Sequence, residues 1–200
     1  MCGRFHLISE EDEREMRVIL EEIENRYKDK PELSAMQTGE IFPTHIVPVL
    51  ANNKKLEPAA FLMKWGFAPF QKGGRPVINA RRETALDKPM FRKPLLERRC
   101  VIPASHYYEW EKQGATKVRH AIRPRGQNIL YMAGLYRIEE EQVLPVFTIL
   151  TRPAAPDIAF IHDRMPVILF PDQREAWLRP DADVRGIMEH SQEQMNYERM

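Results

Sequence analysis

Hydrophobic spacing changes once along this chain, and the change divides it into two kinds of structure. In "SEEDEREMRVILEEIENRY" (residues 9–27), Met16, Ile19, Leu20, Ile23 and Tyr27 recur at helical spacing. Ser9 is placed to cap the helix, acids fill its first turn and Pro31 ends it. Beyond Pro31 the pattern becomes short, β-rich, proline-bounded segments: "HIVPVL", "AAFLMKWGF", "RPVINA", "RRCVIPA", "YYEWE", "TKVRHAIR", "NILYMAGLY", "VLPVFTILT" and "RMPVILF". A helix is expected near 83–97, with shorter ones near 153–161 and 171–178. This pattern predicts an α+β architecture, a curled and largely antiparallel, open barrel-like sheet with peripheral helices. One domain spanning 1–200 is the economical reading, since no repeat or low-complexity linker divides the chain.

Composition narrows the setting more than the activity. A hydrophobic fraction of 43% and a charged fraction of 30% are those of a soluble globular protein. No apolar run approaches the ~20 residues of a membrane helix, and the N-terminus lacks the pattern of a secretory signal. Two cysteines, Cys2 and Cys100, make no disulfide framework, so a cytoplasmic location is expected. The net charge of +1 is uninformative, but its distribution is not. Residues 9–32 carry ten acids against five bases, and residues 72–99 carry nine bases against three acids. That asymmetry fits one face for a polyanion, and equally a solvated basic helix.

The candidate chemistry begins at "MCGRF". Removal of Met1 would leave Cys2 with a free α-amine two carbons from a thiol. An aldehyde condenses with such an amine to an imine, and the thiol then closes a five-membered thiazolidine. Reference pKa values of ~7.7–8.0 and ~8.5 let both groups reach their nucleophilic forms near neutrality. The plainer reading makes Cys2 a small residue in a first strand. Three segments offer partners: Asn79 in "NARRE", Glu109 among the aromatics of "YYEW", where a carboxyl tends to hold its proton, and His162 in "IHDRMP". Each alone also has a dull explanation, as a turn, an exposed strand position or a loop. Cys2 and His6 lack further ligands at metal-binding spacing, so neither a metal nor an organic cofactor is expected.

Taken together, "MCGRF", "WGFAP", "INARRET", "MFRKPLLERRCVIPASHYYEW" and "FTILTRPAAPDIAFIHDRMPVIL" resemble, in this order, the SOS response-associated peptidase (SRAP) family. The resemblance runs from residue 2 to about 170. It implies a DNA-damage protein that senses abasic sites in single-stranded DNA and crosslinks to them through a thiazolidine, shielding the lesion. The family also carries a proposed peptidase activity linked to loss of its own first methionine. Carried over by motif, Cys2 resembles the nucleophile and Asn79 the residue that positions sugar and amine. Glu109 resembles the acid/base, and His162 the group that protonates the sugar oxygen. Arg4 and Arg81 match phosphate contacts, with Arg164 supporting His162. Lys88 is the nearest substitute for a basic residue that usually precedes the Met-Phe pair. Phe70 is the aromatic left after "WGFAP", and Trp65, Phe67, Tyr107 and Trp110 are further candidates for base stacking, with a place in the core an equal reading for Trp65 and Trp110. "EIFPTH" departs from the family's Asn-Val-Ala-Pro-like stretch, with Glu40 in place of the asparagine. The resemblance thus implies a monomer that associates with the nucleoid when DNA is damaged. Two rivals stay open: an N-terminal-nucleophile cysteine peptidase, and a single-stranded DNA-binding module without covalent chemistry.

Overall fold

The computed structural model describes residues 2–7, 14–71 and 73–200. The first long element is α1 (Arg14–Tyr27), which buries Met16, Ile19, Leu20, Ile23 and Tyr27, the five positions its periodicity selects. The Ser9 cap lies outside the described residues. The Tyr27 hydroxyl accepts the Leu62 N–H at 3.1 Å, which pins the end of α1 to the sheet.

Thirteen strands follow one another in the described chain: β1 (Arg4–Leu7), β2 (Gly39–Ile41), β3 (Ile46–Asn52), β4 (Pro58–Trp65), β5 (Asn79–Arg81), β6 (Arg99–Ala104), β7 (His106–Gln113), β8 (Thr116–Pro124), β9 (Leu130–Arg137), β10 (Val146–Pro153), β11 (Arg164–Pro166), β12 (Ile168–Leu169) and β13 (Met195–Arg199). One sheet runs β13-β8-β7-β1-β2. The other runs β11-β10-β4-β3-β6-β9-β12, with β5 on β10. A further pairing of β9 with β10 curls this sheet back on itself. Among the described strands β10 pairs in parallel with β4 and β5, and Met36 forms a parallel bridge to Ile46. The remaining ladders are antiparallel, so the architecture is the expected α+β with a largely antiparallel, curled sheet.

Proline positions explain where the expected helices shrink. The helix expected near 83–97 is α3 (Pro89–Glu97), which starts with Pro89 in its first turn, and residues 82–88 are mostly turns. The segment near 153–161 holds one 3-10 turn, Pro156–Ile158, and the segment near 171–178 holds α4 (Gln173–Leu178). Short α2 (Pro31–Ser34), β2, α5 (Val184–Glu189) and β13 carry too little periodicity to be foreseen.

The "WGF" segment is structural in this chain. Trp65 and Phe67 are fully buried, and the Trp65 Nε1–H donates to the Ile78 carbonyl at 3.1 Å. Gly66 has φ +114°, and a Cβ there would stand 2.7 Å from the Pro76 Cβ, so only glycine fits. Both rings are therefore core, the alternative reading for Trp65 and a correction for Phe67, and neither is available for base stacking.

Arg99 shows why counting charges overstated the basic face. It is buried and donates to the carbonyls of Trp177 and Leu95, each at 2.7 Å, and to those of Leu96 (2.7 Å) and Arg179. One guanidinium thereby caps the C-terminal ends of both α3 and α4. Arg82 likewise donates to the Met188 carbonyl. Arg99→Met keeps the bulk but leaves buried carbonyls without donors. It should destabilise the fold by about 3–5 kcal/mol, read as a lower urea midpoint at unchanged slope.

Candidate functional site

The fold brings the chain's start against two different sheets. Cys2 precedes β1 and is fully buried, with its Sγ 3.8 Å from the Arg4 carbonyl oxygen. β5 lies parallel to β10, with Asn79 opposite Ile149. From there the Asn79 Nδ2 donates to the Cys2 carbonyl at 2.8 Å. The Asn79 Oδ1 is buried and has no hydrogen-bond donor among the described residues. The side chain is thus fixed through its donor end, with its acceptor end left over beside the first residues of the chain.

Glu109 sits on β7, opposite His120 of β8 and one residue from Tyr108, which faces Arg4 of β1. Strand alternation turns Glu109 to the face of fully buried Tyr107 and away from Tyr108 and Trp110. Its side chain is 4% exposed, and burial raises its pKa above the ordinary carboxyl range. The chain's amino terminus and then His162 oppose that rise electrostatically. Burial pushes the Cys2 thiol well up, and the charge of Glu109 pushes it further. Tyr107 is raised for the same first reason, with Cys2 and Glu109 adding to it. These mutual effects place Cys2, Tyr107, Glu109 and His162 within electrostatic reach of one another.

His162 is carried by the turn between β10 and β11. Its Nδ1 accepts the Arg164 backbone N–H at 3.0 Å, while the Asp163 Oδ1 lies 2.8 Å from the same atom. The two neighbours ask for opposite protonation of Nδ1. The backbone donor is fixed and Asp163 is 84% exposed, so we assign the proton of the neutral ring to Nε2. Arg164 braces this turn. Its guanidinium makes a two-pronged pair with Glu83, at 2.7 and 2.9 Å, and donates to the Thr151 carbonyl at 2.8 Å. With its side chain 11% exposed, Arg164 has most of its guanidinium engaged by these partners.

The remaining candidates lie around this group. Arg4 is half-buried and paired with Glu40 at 3.1 Å. Arg81 is exposed on the face of β5 that Asn79 shares. Lys88 is exposed just ahead of α3, and Phe70 is 75% exposed in the loop after β4. No hydrogen bond, ion pair or ring contact among the described residues links Lys88 or Phe70 to Cys2, Asn79, Glu109 or His162. Trp110 is half-buried beneath the guanidiniums of Arg4 and Arg119. The Tyr107 hydroxyl is the group that residue types did not single out. "YYEW" suggested a stacking ring at that position, whereas the phenol is buried at the site and has no hydrogen-bond partner among the described residues. No helix among the described residues is long and apolar enough to cross a membrane.

Comparisons with known proteins place the chain in a family. The family model described as SOS response associated peptidase (SRAP) matches residues 1–200. The chain is 36% identical over 188 residues to the abasic site processing protein YoqW of Bacillus subtilis, covering 90% of this chain and 81% of the relative. It is 33% identical to the abasic site processing protein YedK of Escherichia coli, with the same two coverages. A crystal structure of a protein from Bacteroides thetaiotaomicron superposes with a TM-score of 0.78 at 22% identity, covering 100% of this chain and 92% of that one. The chain belongs to the SOS response associated peptidase family.

Proposed function

We propose that this protein captures abasic sites in single-stranded DNA by forming a thiazolidine with Cys2 after Met1 has been removed. The observation that carries the reading is the bond from Asn79 to the Cys2 carbonyl, beside a buried Glu109 of raised pKa that interacts electrostatically with both the Cys2 thiol and His162. The abasic-site names of its relatives set the substrate class.

The steps balance with the loss of one water. The Nε2–H of His162 favours opening of the deoxyribose ring to its aldehyde by donating to the ring oxygen. The freed α-amine of Cys2, accepted by the vacant Oδ1 of Asn79, adds to the aldehyde carbon. Protonated Glu109 delivers its proton to the departing hydroxyl, which leaves as water, and a protonated imine forms. The Cys2 sulfur then adds to the imine carbon. Its proton returns to the Glu109 carboxylate, the nitrogen keeps its one hydrogen, and the ring closes. A carboxyl held up by burial suits both halves of this cycle, because it gives a proton in one and takes one in the next.

Intact mass spectrometry after incubation with an oligonucleotide carrying one abasic site tests the proposal. The expected species is the chain without Met1, plus the oligonucleotide, minus one water. A protein mass that stays unchanged while the lesion is consumed or merely bound would refute it.

A further inference from the structure

On the outward face of the smaller sheet, one carboxylate holds two arginines. The Glu40 Oε1 receives Arg4 Nη1 at 3.1 Å and Arg119 Nη2 at 3.0 Å. The register sets this up: Glu40 lies opposite His6, Arg4 opposite Tyr108, and Trp110 opposite Arg119. The guanidiniums also stack in series with aromatic rings. Arg4 lies 4.4 Å from the Phe42 centroid and 5.0 Å from that of Trp110. Arg119 lies 3.8 Å from Tyr108 and 5.9 Å from Trp110. Cations and rings therefore alternate along one line, and the stacking holds both guanidiniums in place.

The cluster is built to meet an anion without being committed to one. The Arg4 and Arg119 side chains remain 37% and 29% exposed, and Glu40 28%. Each arginine spends one nitrogen on Glu40. The Arg119 Nε is buried and its guanidinium also bonds Tyr108, so a phosphate would be met by the remaining outer Nη–H donors. His6 and His106 face the same cluster, and burial holds both below their usual basicity, so neither adds a fixed charge. The two arginines and Glu40 together carry a net charge of +1.

We propose that Arg119 joins Arg4 in gripping one backbone phosphate, and that Glu40 is a resident competitor for both guanidiniums that keeps undamaged single strands weakly bound. This rests on the single-stranded DNA reading above. A phosphate entering the cluster must displace Glu40 or share the arginines with it, and either way its grip is weakened. Covalent capture does not need lasting affinity, so the penalty falls on strands that offer no aldehyde. Lesion selectivity would then come partly from a deliberately weakened phosphate site.

The test measures binding of a fluorescein-labelled oligothymidylate without an abasic site. Glu40→Gln keeps the shape and one acceptor but removes the charge. It should tighten binding roughly 5- to 20-fold at low salt. The slope of log affinity against log salt should steepen by up to about 0.7, the value for one phosphate contact on a single strand. Arg119→Gln in the Glu40→Gln background should erase the gain. Arg119→Gln alone should weaken binding and flatten the slope. Unchanged or weaker binding by folded Glu40→Gln overturns the proposal, and so does unchanged binding by Arg119→Gln. Crosslinking of the unaltered chain to an abasic oligonucleotide is scored separately. Its absence, with binding that still responds to Glu40, would count against the Cys2 chemistry alone.

Discussion

Replacing Cys2 with alanine is expected to abolish the heat-stable adduct with an abasic oligonucleotide while leaving the fold and the imine step intact. The fold survives because the bond from Asn79 reaches the main-chain carbonyl of residue 2, which any residue retains. Once Met1 is removed, alanine still presents an α-amine, so the aldehyde can still condense to an imine. An imine hydrolyses on heating, whereas a thiazolidine has no C=N bond to attack. Borohydride added during the reaction should therefore trap the Cys2→Ala imine as a stable secondary amine. Without borohydride the shifted band should vanish on heating. Cys2→Ser should behave as alanine does on heating, because a hydroxyl is a much poorer nucleophile than a thiol near neutrality. A heat-stable band of normal yield from either variant, without reductant, would sink the role assigned to the thiol.

The parts of this fold that could be read from the sequence are those whose side-chain period is local. The five apolar positions of α1 and the short apolar strand segments from β3 to β10, of which β6, β9 and β10 are buried on both faces, declare themselves, because burial is written into each segment's own composition. β13 does not. It buries Met195 alone and exists through a five-residue register with β8, a partner more than seventy residues away in sequence. The site was legible as residue types in motifs but not as states. The aromatics around Glu109 suggested a carboxyl with a raised pKa, and burial pushes it in that direction. Yet alternation turns Tyr108 and Trp110 to the opposite face, and Tyr107 with the core behind it supplies the burial. Trp65 and Phe67 have the chemistry of stacking rings and are used as core. Arg99 and Arg152 look like surface cations, but both are buried; Arg99 spends its donors on main-chain carbonyls, and Arg152 on the carbonyl and hydroxyl of Ser191 and the carboxylate of Glu193. Composition records that a charge exists, and only tertiary contact decides whether it meets solvent.

Glu109→Gln separates the cost of the site from its use, because the two readouts should move in opposite directions. Glutamine keeps the shape of the side chain but can neither release a proton to the departing hydroxyl nor take one from the thiol. Loss of a positioned general acid and base slows such steps by about 10²- to 10⁴-fold, so the crosslinking rate should fall by that factor. Stability should respond the other way. Burial raises the Glu109 pKa in the folded chain above its unfolded value near 4.5, so the folded state binds the proton more tightly. The stability tied to that proton is complete below the unfolded value and is lost as pH rises through the folded one. The natural chain should therefore lose melting temperature across that window, through the cost of ionising a buried carboxyl. Glutamine has nothing to ionise, so Glu109→Gln should show a flatter profile and a higher melting temperature at neutral pH. A variant both slower and less stable at neutral pH would mean that Glu109 holds the fold together as a paired carboxylate. In that case the acid/base role would pass to another group at the site. A slower but more stable variant is the signature of a residue kept buried for its chemistry despite the destabilisation it causes.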